Sequence, residues 1–164
     1  MQPGVSVRRP RSRHAVAWLL LPLVAAAIYA PFLHNPPVFD DLGFFAPELL
    51  EQAAGASPAL SWSLRWVSYG SMGWTYALVG LDIPWFRIGN LLVHAGVGIA
   101  LYHFLEKALR LAGGDGLRSR ANEAAIIGAL WFVAHPVAVY GVGYLVERSI
   151  AMAALFSLLS LVAL

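Results

Sequence analysis

The hydrophobic positions of this chain lie in long unbroken runs, and the polar residues gather in short islands between them. The first run extends from about Ala15 to Leu33, behind Arg8, Arg9, Arg11 and Arg13. At 1.5 Å per residue it covers roughly 28 Å, enough for the hydrocarbon core of a bilayer. A second run extends from about Pro84 to Leu105 and a third from about Asn122 to Tyr144. Within the third, Pro136 disfavours helical backbone at His135, which predicts a kink or break there. A fourth run, Ser149 to Leu164, covers only about 24 Å, short of the ~20 residues that a spanning helix needs. The expectation is a last span cut off within its helix, in a chain that is a piece of a longer one. The fold class that follows is all-α, a polytopic transmembrane helical bundle of about four spans (15–33, 84–105, 122–144 and 149–164).

One apolar stretch does not fit this scheme cleanly. Ala59 to Leu81 is hydrophobic enough to span, yet it holds Arg65, Ser61, Ser63, Ser68 and Ser71. It also carries Trp62, Trp66, Tyr69 and Trp74, a density of aromatic anchors that favours the membrane interface. The distribution of positive charge decides between the two placements. With this stretch on the surface, the basic tail 1–14 and the loop 106–121, with Lys107, Arg110, Arg118 and Arg120, share the cytoplasmic side. That puts eight of the 11 basic residues inside, as the positive-inside rule requires. Residues 34–83 then form an outer loop with interfacial helices, including a short helix from about Pro47 to Ala54 before a break at Gly55 to Pro58. Gly113-Gly114-Asp115-Gly116 marks a turn in the inner loop. A cleaved signal peptide is the rival reading of the first run, given its basic start and small Ala25 and Ala27. The run is long for that role, and Pro31 after Ala30 is an awkward place to cleave.

Composition supports the membrane class. The chain has 164 residues, 59% hydrophobic and 12% charged, with a mean hydropathy of +0.67. A soluble domain carries about 25% charge. The pI near 9.2 does not point to nucleic acid, because the basic residues flank hydrophobic spans. The absence of cysteine excludes disulfides and thiolate metal sites.

Several polar residues could carry chemistry. Asp40 and Asp41 follow directly on the first span; one reading makes them a helix cap and a solvated carboxylate. The other makes one of them a general base for a hydroxyl nucleophile, its pKa raised by Phe39, Phe44, Phe45 and the neighbouring charge. Arg87, Asn90 and His94, spaced by three and four, share one helical face within the second span. Such groups face a protein interior or a wet cavity, although Arg87 could snorkel to the interface and Asn90 and His94 could form interhelical hydrogen bonds. Arg148 is a candidate phosphate ligand through its planar fork, or else a partner of Glu147. His135 is a candidate site residue or simply a helix-breaking one. The histidines at 14, 34, 94, 103 and 135 give no metal-ligand spacing, so no metal site is expected. The threading brings Asp40, Asp41, Arg65, His135 and Arg148 to one membrane face.

The order of these motifs resembles the N-terminal part of the GT-C class of polytopic glycosyltransferases. The nearest likeness is to the protein O-mannosyltransferase-like enzymes often fused to tetratricopeptide repeats. The carrying residues are Phe39-Asp40-Asp41, then Arg65 with Ser68, Trp74-Thr75-Tyr76-Ala77-Leu78 and Gly80-Leu81. Phe86 through His94 and His135-Pro136-Val137 through Arg148 follow in the same order. The resemblance covers about Phe32 to Leu164. It implies a multi-pass protein of the plasma (inner) membrane that moves a mannose-like sugar from a polyprenyl-phosphate donor to a hydroxyl acceptor on protein. Asp40 or Asp41 would be the general base. Arg148 or Arg65 would steady the lipid phosphate, with His135, Asn90 and His94 as further binding residues. No cofactor beyond the lipid-linked sugar donor is implied, and a divalent metal is compatible. Tyr140 departs from the family, which commonly has a glutamate four or five positions after the His-Pro histidine. The family's cavity is closed by further helices, so these residues alone are expected to be inactive. The alternatives are a non-catalytic membrane module or assembly factor, and a small transporter-like bundle using Arg87, Asn90 and His94.

Overall fold

A computed structural model describes residues 11–55 and 65–164, without the side chains of residues 11–13 and 44. The expectations for Arg8, Arg9, Ser61, Trp62, Ser63, the Phe44 side chain and the break over residues 56–58 fall outside that range. Among the described residues the chain is all helical, with no strand. Its α-helices are α1 (Arg11–Tyr29), α2 (Asp40–Phe44), α3 (Pro47–Gly55), α4 (Trp66–Val79), α5 (Ile83–Ala112), α6 (Asp115–Ser119), α7 (Ala121–Ala134), α8 (Val139–Gly143) and α9 (Arg148–Ala163). Short 3₁₀ turns follow α1 at Ala30–Phe32 and precede α8 at Pro136–Ala138.

Two helical segments are long and apolar enough to cross a membrane, His14–Phe32 and Ile83–Ala112. A third crossing is available if α7 and the Pro136–Gly143 segment, bent by 55° against each other, count as one broken span. The bend falls where Pro136 puts it: His135 takes an extended conformation (φ −68°, ψ 131°), since the proline ring clashes with a helical residue before it. The chain is thus a multi-pass, all-helical membrane protein. At 16 residues, α9 is apolar but shorter than a full crossing.

One expected boundary is corrected. The second span was expected to end near Leu105, with Lys107 and Arg110 in a loop, yet α5 continues to Ala112. Glu106 and Arg110 pair across one turn (Arg110 Nη2–Glu106 Oε1, 2.7 Å), and this run is rich in good helix formers. The helix stops only at Gly113.

α1, α5 and α7 pack as one bundle around Ala17, Leu21 and Ala25, meeting Ala95 and Tyr102 of α5 and Ala125, Ala129 and Val133 of α7. Small residues set the approach, as they do where apolar burial gives no net drive between helices in lipid. A Cβ on Gly98 would sit 2.6 Å from Val133 Cγ2, and one on Gly128 2.8 Å from Leu105 Cδ1. Large apolar residues on the outer faces, such as Leu92, Ile127 and Trp131, are left exposed, as lipid-facing positions would be.

A second core, made of Leu50, Met72, Phe86 and Leu145, joins the α3–α4 hairpin to the start of α5 and the segment before α9. Gly73 sets the depth of this hairpin, because a Cβ there would fall 2.6 Å from the Ala53 carbonyl carbon, with the Ala54 backbone equally in the way. Backbone cannot rotate aside, so Gly73→Ala is expected to cost about 2 kcal/mol by overpacking. Hydrogen exchange should show faster exchange over α3, with α1 and α7 unchanged.

Candidate functional site

Asp41 of α2 and Asn90 of α5 converge on the segment between α8 and α9. Asp41, in the first turn of α2, is fully buried. Its Oδ1 accepts from the backbone N–H groups of Leu145 (3.0 Å) and Val146 (3.1 Å), and Oδ2 lies 3.1 Å from the Leu145 nitrogen. Asn90 works on the same segment from the other side, donating from Nδ2 to the Tyr144 carbonyl at 3.0 Å. Its Oδ1 accepts from Arg148 Nε at 2.6 Å. Arg148 then donates to Ser71 Oγ (3.0 Å) on α4 and to the Phe86 carbonyl (2.8 Å) on α5. Arg87 does not snorkel. It is 3% exposed and donates to the carbonyls of Leu33, Asn35 and Pro36, tying down the chain that leaves α1.

This cluster explains why charged groups are tolerated at depth: every strong donor has an acceptor within the protein. Burial pushes the Asp41 carboxyl above the ordinary carboxylate range, and the Asp40 charge acts the same way. The two backbone N–H groups and the Arg87 guanidinium oppose that shift without reversing it.

Asp40 lies on the outside of the same turn and is exposed. The residue before it, Phe39, has φ 51° and ψ −121°, a backbone conformation that a side-chain-bearing residue rarely adopts. That conformation places an exposed Phe39 ring on Tyr144 (centroids 6.0 Å apart, planes 15° apart), and Tyr144 stacks in turn on Tyr140 (5.4 Å, 7°). The three rings form a ladder beside Asp40. Tyr144 at its centre lines a cavity of about 250 Å³ with Phe32, Asn35, Val38 and Arg87. Tyr140 at its end lines an apolar groove of about 520 Å³ between α7, the bend and α9. His94 and His135 line that groove too. His94 Nε2 lies 3.2 Å from the Val133 carbonyl, and His135 Nδ1 accepts from Val137 N–H at 3.2 Å, capping the turn after the bend.

The expected site residues therefore divide into three groups. Asp41, Asn90 and Arg148 are buried around one segment, Asp41 occupied by the Leu145 and Val146 N–H groups and Asn90 and Arg148 by each other. Asp40 stands at the ladder, and His94 and His135 flank the groove. Arg65 is exposed at the start of α4, where its hydrogen bond to Tyr69 and, at longer range, the Glu147 charge favour the charged form. Sequence reading missed the aromatic ladder and Ser71. The four-residue spacing of Tyr140 and Tyr144 was a usable signal for part of the ladder, whereas the pairing of Phe39 with Tyr144 depends on tertiary contact.

The fold and the cluster define a class, a multi-pass helical membrane protein with a polar pin at one end of its bundle. Comparison with family models, curated proteins and solved structures returns no match.

Proposed function

We propose that this chain serves an inverting membrane glycosyl transfer of the GT-C kind, from a polyprenyl-phosphate sugar donor to a hydroxyl acceptor. The observation that carries the reading is the exposed carboxylate of Asp40 beside the Phe39–Tyr144–Tyr140 ladder, which leads to an apolar groove. Aromatic faces bind the C–H surfaces of sugars, an exposed carboxylate can take a hydroxyl proton, and a groove between membrane helices suits a lipid chain. The motif order from Phe39 to Arg148 supports the same reading. In the proposed step, the acceptor O–H gives its proton to Asp40 and its oxygen bonds to the anomeric carbon. The bond from that carbon to the phosphate oxygen breaks, polyprenyl phosphate leaves with the electron pair, and the configuration inverts. Arg65, exposed at the start of α4, steadies the phosphate, while Asp41 and Arg148 position the loops.

The proposal includes the finer topology: four crossings, the N-terminus in the cytoplasm, residues 34–83 outside and the plasma (inner) membrane as location. The acceptor is a hydroxyl on protein and the sugar is mannose-like. In vesicles carrying the complete gene product and a polyprenyl-phosphate mannose donor, Asp40→Asn is expected to lower sugar transfer by about 100-fold or more. Wild-type rates in Asp40→Asn would sink the assignment.

A second reading has its own support. Asp41, Asn90, Arg87 and Arg148 have their hydrogen bonds met inside the protein, by backbone groups and by the Asn90–Arg148 pair, which is what a non-catalytic membrane module would need for folding alone. It calls for no transfer by the complete wild-type gene product with any lipid-linked sugar.

A further inference from the structure

At the opposite end of the bundle, about 24 Å along α5 from Asn90, a second polar cluster has no part in the proposed transfer. His14 from the first turns of α1 meets His103 and Glu106 of α5, and one ligand atom from each lies within 4.8 Å of the others. We propose that His14, His103 and Glu106 form a binding site for a divalent transition-metal ion of the zinc type.

Three features support a built site. The donor set of two imidazoles and one carboxylate is the kind that borderline ions such as Zn²⁺ select, whereas Mg²⁺ and Ca²⁺ prefer all-oxygen shells. His103 and Glu106 stand three apart on one helix, so both project from the same face. His14 and Glu106 also have orienting partners, as ligands in metal sites do. The Tyr102 hydroxyl lies 2.7 Å from His14 Nδ1 and donates to Asn122 Oδ1 at 2.8 Å. Trp18 Nε1 donates to His103 Nε2 at 3.1 Å, a bond to the ring lone pair that an ion at Nε2 would displace. Arg110 holds Glu106 through Oε1 alone, which leaves Oε2 turned toward His14 Nδ1 at 3.7 Å.

Tetrahedral ligands at Zn–N distances of about 2.0 Å stand about 3.3 Å apart, so binding has to draw the three atoms inward by about 1 Å. The two imidazoles are only partly buried, so side-chain rotation can supply that movement. The spacing of residues along the chain hides the site, because His14 and the α5 pair become neighbours only when α1 packs on α5.

The test uses the whole chain without a polyhistidine tag, in lipid nanodiscs, titrated with Zn²⁺ against a chromophoric chelator. About one equivalent should bind to wild type, and His103→Gln and Glu106→Gln should each weaken that binding by about tenfold or more. Ni²⁺ should quench part of the tryptophan fluorescence, and Trp18→Phe should remove that part, a readout that needs no ligand to be mutated. The inference is overturned by the absence of stoichiometric Zn²⁺ binding to wild type. It is equally overturned if His103→Gln and Glu106→Gln bind like wild type, or if His34→Gln alone abolishes binding, which would locate the ion at an exposed histidine elsewhere.

Discussion

Arg148→Ala is expected to be the most damaging single change in the chain. The side chain is 2% exposed, and it links α9 to α5 through Asn90 and Phe86 and to α4 through Ser71. Removing it breaks three charge-assisted hydrogen bonds at once and leaves Asn90 Oδ1 buried without its partner. Each such bond is worth about 1.5–3 kcal/mol, and losses within one network do not simply add, so a total of about 3 kcal/mol or more is expected. Arg148→Lys should recover only part, because an ammonium group lacks the planar fork that reaches three acceptors on two helices. The measurement is the midpoint of unfolding in mixed detergent micelles, read by circular dichroism. Combined with Asn90→Ala, the double variant should lose much less than the sum of the singles. Additive losses would mean that the two residues do not act as one unit.

Asp41→Ala is expected to follow closely. It strands the N–H groups of Leu145 and Val146 and takes away the carboxylate that faces the buried Arg87 guanidinium. A buried donor left unpaired costs about 1–3 kcal/mol, so a loss of about 3 kcal/mol is reasonable for the pair. Asp41→Asn should be milder, since an oxygen at the Oδ1 position can still accept from both N–H groups. It also isolates a pH effect. The folded pKa of Asp41 is raised above its unfolded value. Its contribution is therefore fully present below the unfolded value of about 3.9 and is lost as pH rises through the raised folded value. Wild type should lose stability across that window and Asp41→Asn should not lose this component. Parallel pH profiles for the two proteins would contradict the raised pKa.

Asp41 and Asp40 are neighbours of identical chemistry, and nothing in their order says which is buried. The structure separates them, because α2 turns one carboxylate onto the α8–α9 segment and leaves the other beside the aromatic ladder. Arg148 is a similar case. A guanidinium beside Glu147 at the head of an apolar run looks like a ligand in waiting, and only the packing of α9 against α4 and α5 reveals that its donors are taken.

The sequence by itself determined what depends on local composition and local backbone sterics. The apolar runs at 15–33 and 84–105 are long enough for the hydrocarbon core, Gly113-Gly114 punctuates the chain, and Pro136 breaks the third run where its ring forbids a helical His135. The polar face of Arg87, Asn90 and His94 was equally legible, since spacing along one helix fixes which side chains share a side. Contacts between helices were not. Asp41 with Leu145, Asn90 with Arg148, Phe39 with Tyr144 and His14 with Glu106 all join residues far apart in the chain. Their meeting depends on crossing geometry set by small residues such as Ala17, Gly98 and Gly128, whose effect exists only once two helices are already side by side.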